Sequence, residues 1–201
     1  MTPDLNRGLP GETPLDDISG LKLSWVRTVG QLWEAEFVNV SKVVTRYLSR
    51  RPTRRMAPMT REWMIRLHGE MLKDVWSWAG ELRRKDGCNV GVQAYRIEMA
   101  LEELAQRVAF WRAEGGDVVE QAAILHHRAV WIHPFHNGNG RWARLLSQIW
   151  QYQRSDGYTA WPEDEIWQGT STIRNEYIAA LTEADEGDFG PLIAMHRLYS
   201  E

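Results

Sequence analysis

Asp117-Val-Val-Glu-Gln-Ala-Ala-Ile-Leu-His-His-Arg-Ala-Val-Trp-Ile-His133-Pro-Phe-His-Asn-Gly-Asn-Gly-Arg141-Trp-Ala-Arg-Leu-Leu-Ser-Gln-Ile-Trp-Gln-Tyr-Gln153 decides the architecture. Asp117 with Glu120 three residues on has the form of a capping box, and Val118, Ala122, Leu125, Ala129 and Ile132 follow at helical spacing. The proline after His133 disfavours helical geometry at the histidine itself, so the incoming helix must end there and carry the imidazole at its terminus. A second amphipathic helix leaves from the glycines and runs to about Gln153. Two helices joined by a short polar turn are therefore expected here.

The turn between them has its own chemistry. Gly138 and Gly140 bracket Asn139 and allow a tight bend whose backbone N–H groups converge, while the outgoing helix adds the positive end of its dipole. Such a nest at a helix start binds anions, phosphate above all. Arg141 and Arg144 lie three apart on one face of that helix, where two guanidinium forks reach successive phosphates. His133 adds a group able to take a proton near neutral pH. These are the parts of a phosphoryl- or nucleotidyl-transfer site, in which positioning and charge neutralisation do most of the catalysis. A glycine-rich turn with a satisfied histidine and two solvated arginines has the same residue types, and it is the whole string, rather than Gly-x-Gly alone, that favours the site.

Outward from these two helices the chain reads as all-α, mostly helical, with one interruption. A helix is expected around Val29 to Tyr47. Thr60 is a candidate N-cap for Trp63, Leu67, Met71, Val75 and Trp78 up to Gly80, and Ile97, Leu101, Leu104, Ala105, Val108 and Trp111 form a further helical face ending at Gly115-Gly116. Leu82 to Tyr95 loses the helical period and contains Asp86-Gly87 and Gly91, which predicts a short β-hairpin flap. After the break at Ser155-Asp156-Gly157, a helix from about Thr170 to Ala184 and a short one after Gly190-Pro191 complete the chain. Residues 1–20 read as an extended or partly disordered arm, 21–59 as an N-terminal helical segment with a basic connector, and 60–201 as the domain core.

Composition narrows the classes. The 201 residues are 43% hydrophobic and 25% charged, enough for one globular core without disulfides or a structural metal. The single cysteine, Cys88, agrees with a reducing cytoplasm, and no apolar run has the length of a signal peptide or membrane span. A net charge of −3 argues against a nucleic-acid binder built on overall basicity. Seven basic residues and no acid fall between Lys42 and Arg61, which reads as a solvated connector, or as an attraction for phosphates or an acidic partner. His126, His127, His133 and His136 lack the spacing of a zinc site.

The string His133-Pro134-Phe135-x-x-Gly138-Asn139-Gly140-Arg141, with Arg144 three residues on, resembles the signature of the Fic (filamentation induced by cAMP) family. Leu125 to Ile132, the Gly80 to Val92 flap and the closing Ala184 to Leu192 are similar to the Fic fold as well. Gly11 to Leu15 and the form Asn137-Gly-Asn-Gly-Arg-Trp-Ala-Arg144 resemble the bacterial subgroup called mobile mystery protein B. The resemblance implies a protein adenylyltransferase that moves AMP from ATP to a Tyr, Ser or Thr hydroxyl of a target protein. In it His133 is the general base, Phe135 anchors the loop, and Gly138, Asn139 and Gly140 surround the α- and β-phosphates, with Asn139 adding a side-chain donor. Arg141 takes the β/γ end and Arg144 the γ-phosphate. Asn89, Val90 and Gly91 of the flap dock an extended stretch of the target by strand addition. Asn137 stands where the family carries an acid that holds Mg²⁺, so the metal ligand is weakened. Three outcomes follow from it: slower turnover with Mg²⁺ held by nucleotide and water, another donor, or a silent nucleotide- or partner-binding module. Thr182 and Glu186 fit the pattern of an inhibitory helix whose glutamate pairs with the second arginine; otherwise a separate antitoxin-like chain is the expected inhibitor.

Overall fold

The computed structural model describes residues 19–86, 91–167 and 171–200. Helix α1 (Val29–Leu48) starts at Thr28, whose hydroxyl accepts from the Gln31 N–H. Helix α2 (Arg61–Leu72) is capped by Thr60 in the same way, through the Trp63 N–H. The predicted apolar periodicity runs on to Trp78, but the helix stops at Leu72 and the chain turns. Val75 and Trp76 are still buried, because both amides fold back onto the Leu72 carbonyl. Helix α3 (Ile97–Glu114) follows a 3-10 turn at Ala94–Arg96 and ends at Gly115. Asp117 caps α4 (Val118–Ile132) by accepting from Val119 and Glu120. Helix α5 (Asn139–Arg154) comes next, then α6 (Glu163–Trp167), which the sequence periodicity did not predict, α7 (Thr172–Asp185) and α8 (Gly190–Leu198).

The α4–α5 pair forms the centre, with α3, α7 and α8 against α4 and α1 and α2 against α5. One large cluster joins the buried side chains of α1 to α5, including Trp63, Trp76, Trp142 and Trp150. A smaller one gathers Trp161, Ile166, Tyr177, Leu181 and Leu192 on the other side of α4. Trp142 is fully buried, and its indole N–H donates to the Met64 carbonyl at 2.9 Å, so a large apolar group enters the core without an orphaned donor. Three short antiparallel contacts, Leu21 with Trp76, Leu82 with Phe135 and Thr159 with Ser200, tie loops to the helical body.

The expected hairpin flap is not shown among the described residues. Its tip, residues 87–90 with Cys88, lies outside the described residues. Among the described residues the flanking arms bond to the α4–α5 segment: Arg83 N–H donates to the Pro134 carbonyl and Val92 N–H to the Ile132 carbonyl. The α4–α5 turn thus accepts both arms as a strand would, and the flap is stitched to the segment that carries His133. The basic connector is largely consumed by ion pairs, Lys42 with Asp74, Arg46 with Glu70, Arg51 with Asp156 and Arg61 with Glu62 and Glu98. Among the described residues no helix is long and apolar enough to cross a membrane.

Candidate active site at the α4–α5 junction

His133 is the C-cap of α4 and adopts a left-handed conformation, φ +49°, which a β-carbon makes costly; the following proline disfavours only the right-handed helical alternative. Two neighbours hold it. The buried Arg83 guanidinium donates through Nε to the His133 carbonyl at 2.7 Å and through Nη2 to the Val92 carbonyl, so one side chain pins both the histidine and the returning flap arm. Gly91, at φ +110°, lies directly on the histidine: a β-carbon there would stand 2.7 Å from the His133 Cβ and 2.8 Å from Arg83 Nη2. Burial, reinforced by the Arg83 charge, lowers the imidazole pKa to about 4, so it is neutral at pH 7.

The loop is rigid for local reasons. The Asn139 amide accepts from the Phe135 N–H and donates to the Phe135 carbonyl, each at 2.9 Å, closing the turn on itself. This corrects the expectation of a side-chain donor to phosphate: Asn139 is 2% exposed, and its amide staples the loop. Phe135 is fully buried, stacked on His68 with centroids 3.7 Å apart and edge-on to Trp142 at 5.0 Å. His68 also reads the loop. Its Nδ1 accepts from the Gly80 N–H at 3.0 Å, so its Nε2–H donates to the Asn137 carbonyl at 2.9 Å. Gly138 caps α5 at φ +78°, where a β-carbon would meet Leu72 Cδ1 at 2.8 Å, and it offers no side-chain acceptor to the first turn. The start of α5 therefore has no side-chain cap from Gly138, and its dipole favours an anion there.

The two arginines take different carboxylates. Arg141 donates to Glu36 Oε2 at 2.9 Å, and the other oxygen of Glu36 accepts from the Trp76 indole at 2.7 Å. Arg144 makes a two-pronged bond to Glu163 of α6, Nε to Oε1 at 2.8 Å and Nη2 to Oε2 at 2.6 Å. Burial opposes the Arg144 charge, but Glu163 and then Tyr177 beside it push its pKa up. The carboxylate on the second arginine is therefore Glu163 and not Glu186, which is the exposed C-cap of α7; Thr182 turns back to the Ile178 carbonyl of its own helix. A cavity of about 610 Å³ opens beside Arg141 and Glu163, walled by Trp33, Phe37, Leu145 and Trp161.

Asn137 gives little to a cation. Its Oδ1 accepts from the Gly138 N–H, and among the described residues no three His, Cys, Asp or Glu side chains converge on a metal position. A Mg²⁺ ion prefers charged oxygen, so these residues do not fit a protein-held metal. The histidine run disperses: His126 bonds to His196 and Tyr177, His127 to Asp185, and exposed His136 leans on Trp78. The sequence reading had missed Arg83, His68, Glu36 and Glu163, which are far from the motif along the chain and have no spacing that marks them. Asn89 and Val90 lie outside the described residues.

Comparison with known proteins agrees with the geometry. Residues 58–150 match the model of a family described as the Fic/DOC family. The chain is 35% identical over 107 residues to protein adenylyltransferase fic-1 of Caenorhabditis briggsae, covering 52% of this chain and 20% of that one. It is 35% identical over 134 residues to protein adenylyltransferase Fic of Drosophila yakuba, covering 65% and 26%. The chain thus spans a fifth to a quarter of the length of these curated relatives. The BepC protein of Bartonella tribocorum, crystallised with AMPPNP, superposes with a TM-score of 0.68 at 17% identity over 98% of each chain, which shows a shared fold.

Proposed function

We propose, from the match of residues 58–150 to the Fic/DOC family model, that the chain transfers AMP from ATP to a Tyr, Ser or Thr hydroxyl of a target protein. The observation that carries the reading is a neutral imidazole fixed at the end of α4 beside the uncapped start of α5, with both motif arginines on that helix. His133 takes the hydroxyl proton as the oxygen attacks the α-phosphorus; the new O–P bond forms, the bond to the β-phosphate oxygen breaks, and pyrophosphate leaves. The backbone of Gly138, Asn139 and Gly140 receives the α- and β-phosphates, Arg141 the β/γ end and Arg144 the γ-phosphate. Because Glu163 holds Arg144, the terminal phosphate must displace that carboxylate. Asn89, Val90 and Gly91 align the target strand. The unit is the 60–201 core with the 21–59 segment packed on it, and the subgroup reading as mobile mystery protein B rests on residues 11–15 and 137–144.

A specific observation favours a second reading. Asn137 spends its oxygen on Gly138, which removes a metal ligand and suits a silent module or a donor other than ATP. Incubation with α-labelled ATP and Mg²⁺ decides. Label on any protein with wild type, lost by at least about a hundredfold with His133→Ala, is expected, in line with the usual worth of a general base. Label that persists in His133→Ala overturns the assigned base, and nucleotide binding without label establishes the silent module.

A further inference from the structure

A chain of side-chain hydrogen bonds runs away from Arg144 through four helices and ends in the C-terminal segment. Arg144 Nη1 lies 3.5 Å from the Tyr177 hydroxyl, which lies 2.9 Å from His126 Nε2. His126 Nδ1 is 3.1 Å from His196 Nε2, and His196 Nδ1 is 2.9 Å from Thr159 Oγ1. The far link is Gln151, whose Oε1 accepts from both the N–H and the hydroxyl of Thr159 at 2.9 Å.

The groups at the two ends favour one direction for the protons in this chain. A guanidinium only donates, so the Tyr177 oxygen accepts from Arg144. At the other end the Ser200 hydroxyl donates to the His196 carbonyl at 2.6 Å and accepts from Gln151 Nε2 at 3.1 Å, which turns Gln151 Oε1 toward Thr159. The Thr159 proton has Gln151 Oε1 at 2.9 Å and the His196 carbonyl at 3.3 Å as acceptors, and with it on either of them His196 donates from Nδ1 and accepts at Nε2. His126 in turn donates from Nδ1 and accepts at Nε2 from the Tyr177 hydroxyl. Both histidines are neutral in this scheme, as their complete burial requires. The Tyr177 proton is spent on His126, and its lone pairs face Arg144. The guanidinium also lies over the Tyr177 ring, 5.6 Å from the centroid.

We propose that Tyr177 is a positioning residue for Arg144, oriented through His126, His196 and Thr159, and that it keeps the guanidinium in place for a terminal phosphate once Glu163 has moved off. Glu163 sits on the five-residue α6 and is partly exposed, whereas Tyr177, His126 and His196 are buried in the body of α7, α4 and α8. Of the two holds on Arg144, only the Tyr177 one stays with the core when the carboxylate gives way. This rests on the assignment of Arg144 to the end of a polyphosphate.

Calorimetric titration of the full chain with ATP and with AMP tests it. Tyr177→Phe deletes one oxygen and is expected to weaken ATP about tenfold, roughly 1.4 kcal/mol, and to leave AMP affinity unchanged, since AMP lacks the groups that reach Arg144. Arg144→Lys is expected to lose ATP affinity, and the double variant to lose less than the two factors multiplied. Thr159→Val, an isosteric change at the far end that removes the acceptor for His196 and reverses the chain, is expected to shift the ATP-to-AMP ratio in the same direction, and it serves if Tyr177→Phe does not fold. A ratio unchanged in the folded variants overturns the proposal while leaving the nucleotide site standing. Wild type that binds neither nucleotide overturns the assignment of the site and this inference with it.

Discussion

At the scale of single residues, the motif is legible because its geometry is local. The end of α4 at His133 follows from Pro134, whereas its left-handed φ is set by the fold, and the need for glycine at 138 follows from a positive φ with Leu72 against it. The side chains that make the loop work are not legible, because they arrive from elsewhere: Arg83 from 50 positions before His133 and His68 from 69 before Asn137. Leu82-Arg83-Arg84-Lys85 offers nothing to distinguish the buried arginine from its exposed neighbours; only the carbonyls it meets after folding do so. Asn139 misled for the same reason, since an amide in a phosphate-type loop reads as a donor until its own backbone is seen to satisfy it. Gly91 gives the sharpest prediction at this scale. Gly91→Ala places a β-carbon against the His133 Cβ at a φ that alanine rarely adopts, and it is expected to cut His133-dependent labelling at least about tenfold while the melting temperature falls by only a few degrees, as for a strained backbone site. Full labelling by that variant would show that the histidine has slack at this contact.

At the scale of elements, caps and periodicity located the long helices. Thr60 and Asp117 accept the N–H groups expected of them, and α3 stops at Gly115 as its glycines foretold. Helix α6 escaped because five residues behind a proline carry no measurable period. That omission hid the partner of Arg144, and an acidic helix end twenty-odd residues later took its place in the reading. The corrected pairing has a direct consequence: Glu163→Gln removes the charge that competes with a terminal phosphate and is expected to tighten ATP about tenfold, about 1.4 kcal/mol, with AMP unaffected. Glu186→Gln should do nothing, its side chain being exposed and remote from Arg144. Competitive binding of a fluorescent ATP analogue measures both, and tightening by Glu186→Gln instead would restore α7 as the inhibitory element.

At the scale of the whole molecule, the buried histidines couple stability to pH. Burial lowers His68 to about 3, His196 to about 3 and His133 to about 4, and holds His126 well below its ordinary value. In the unfolded chain each titrates near 6.5. Between pH 6.5 and the folded values the unfolded state binds protons that the native state refuses, so stability is fully present above about pH 6.5 and falls as the pH drops toward 4. Each group contributes up to about 1.4 kcal/mol per pH unit in that window. Urea midpoints measured from pH 7.5 to 4.5 are expected to hold level and then decline steeply below 6.5; a flat profile would mean that the imidazoles find water or a counter-charge. Composition alone could count six histidines but could not say that these four enter the core, since burial is set by how α2, α4 and α8 pack.

The short pairing at the start of the described chain reaches further than its size implies. Lys22 and Gly20 exchange backbone hydrogen bonds with Val75 and Ser77, on either side of the tryptophan whose indole grips Glu36, and Glu36 grips Arg141. The leading segment is thereby moored three links from a motif guanidinium. Anything that tugs on it, a fused tag or a docked neighbour, loads the same anchor line that keeps the arginine at its berth.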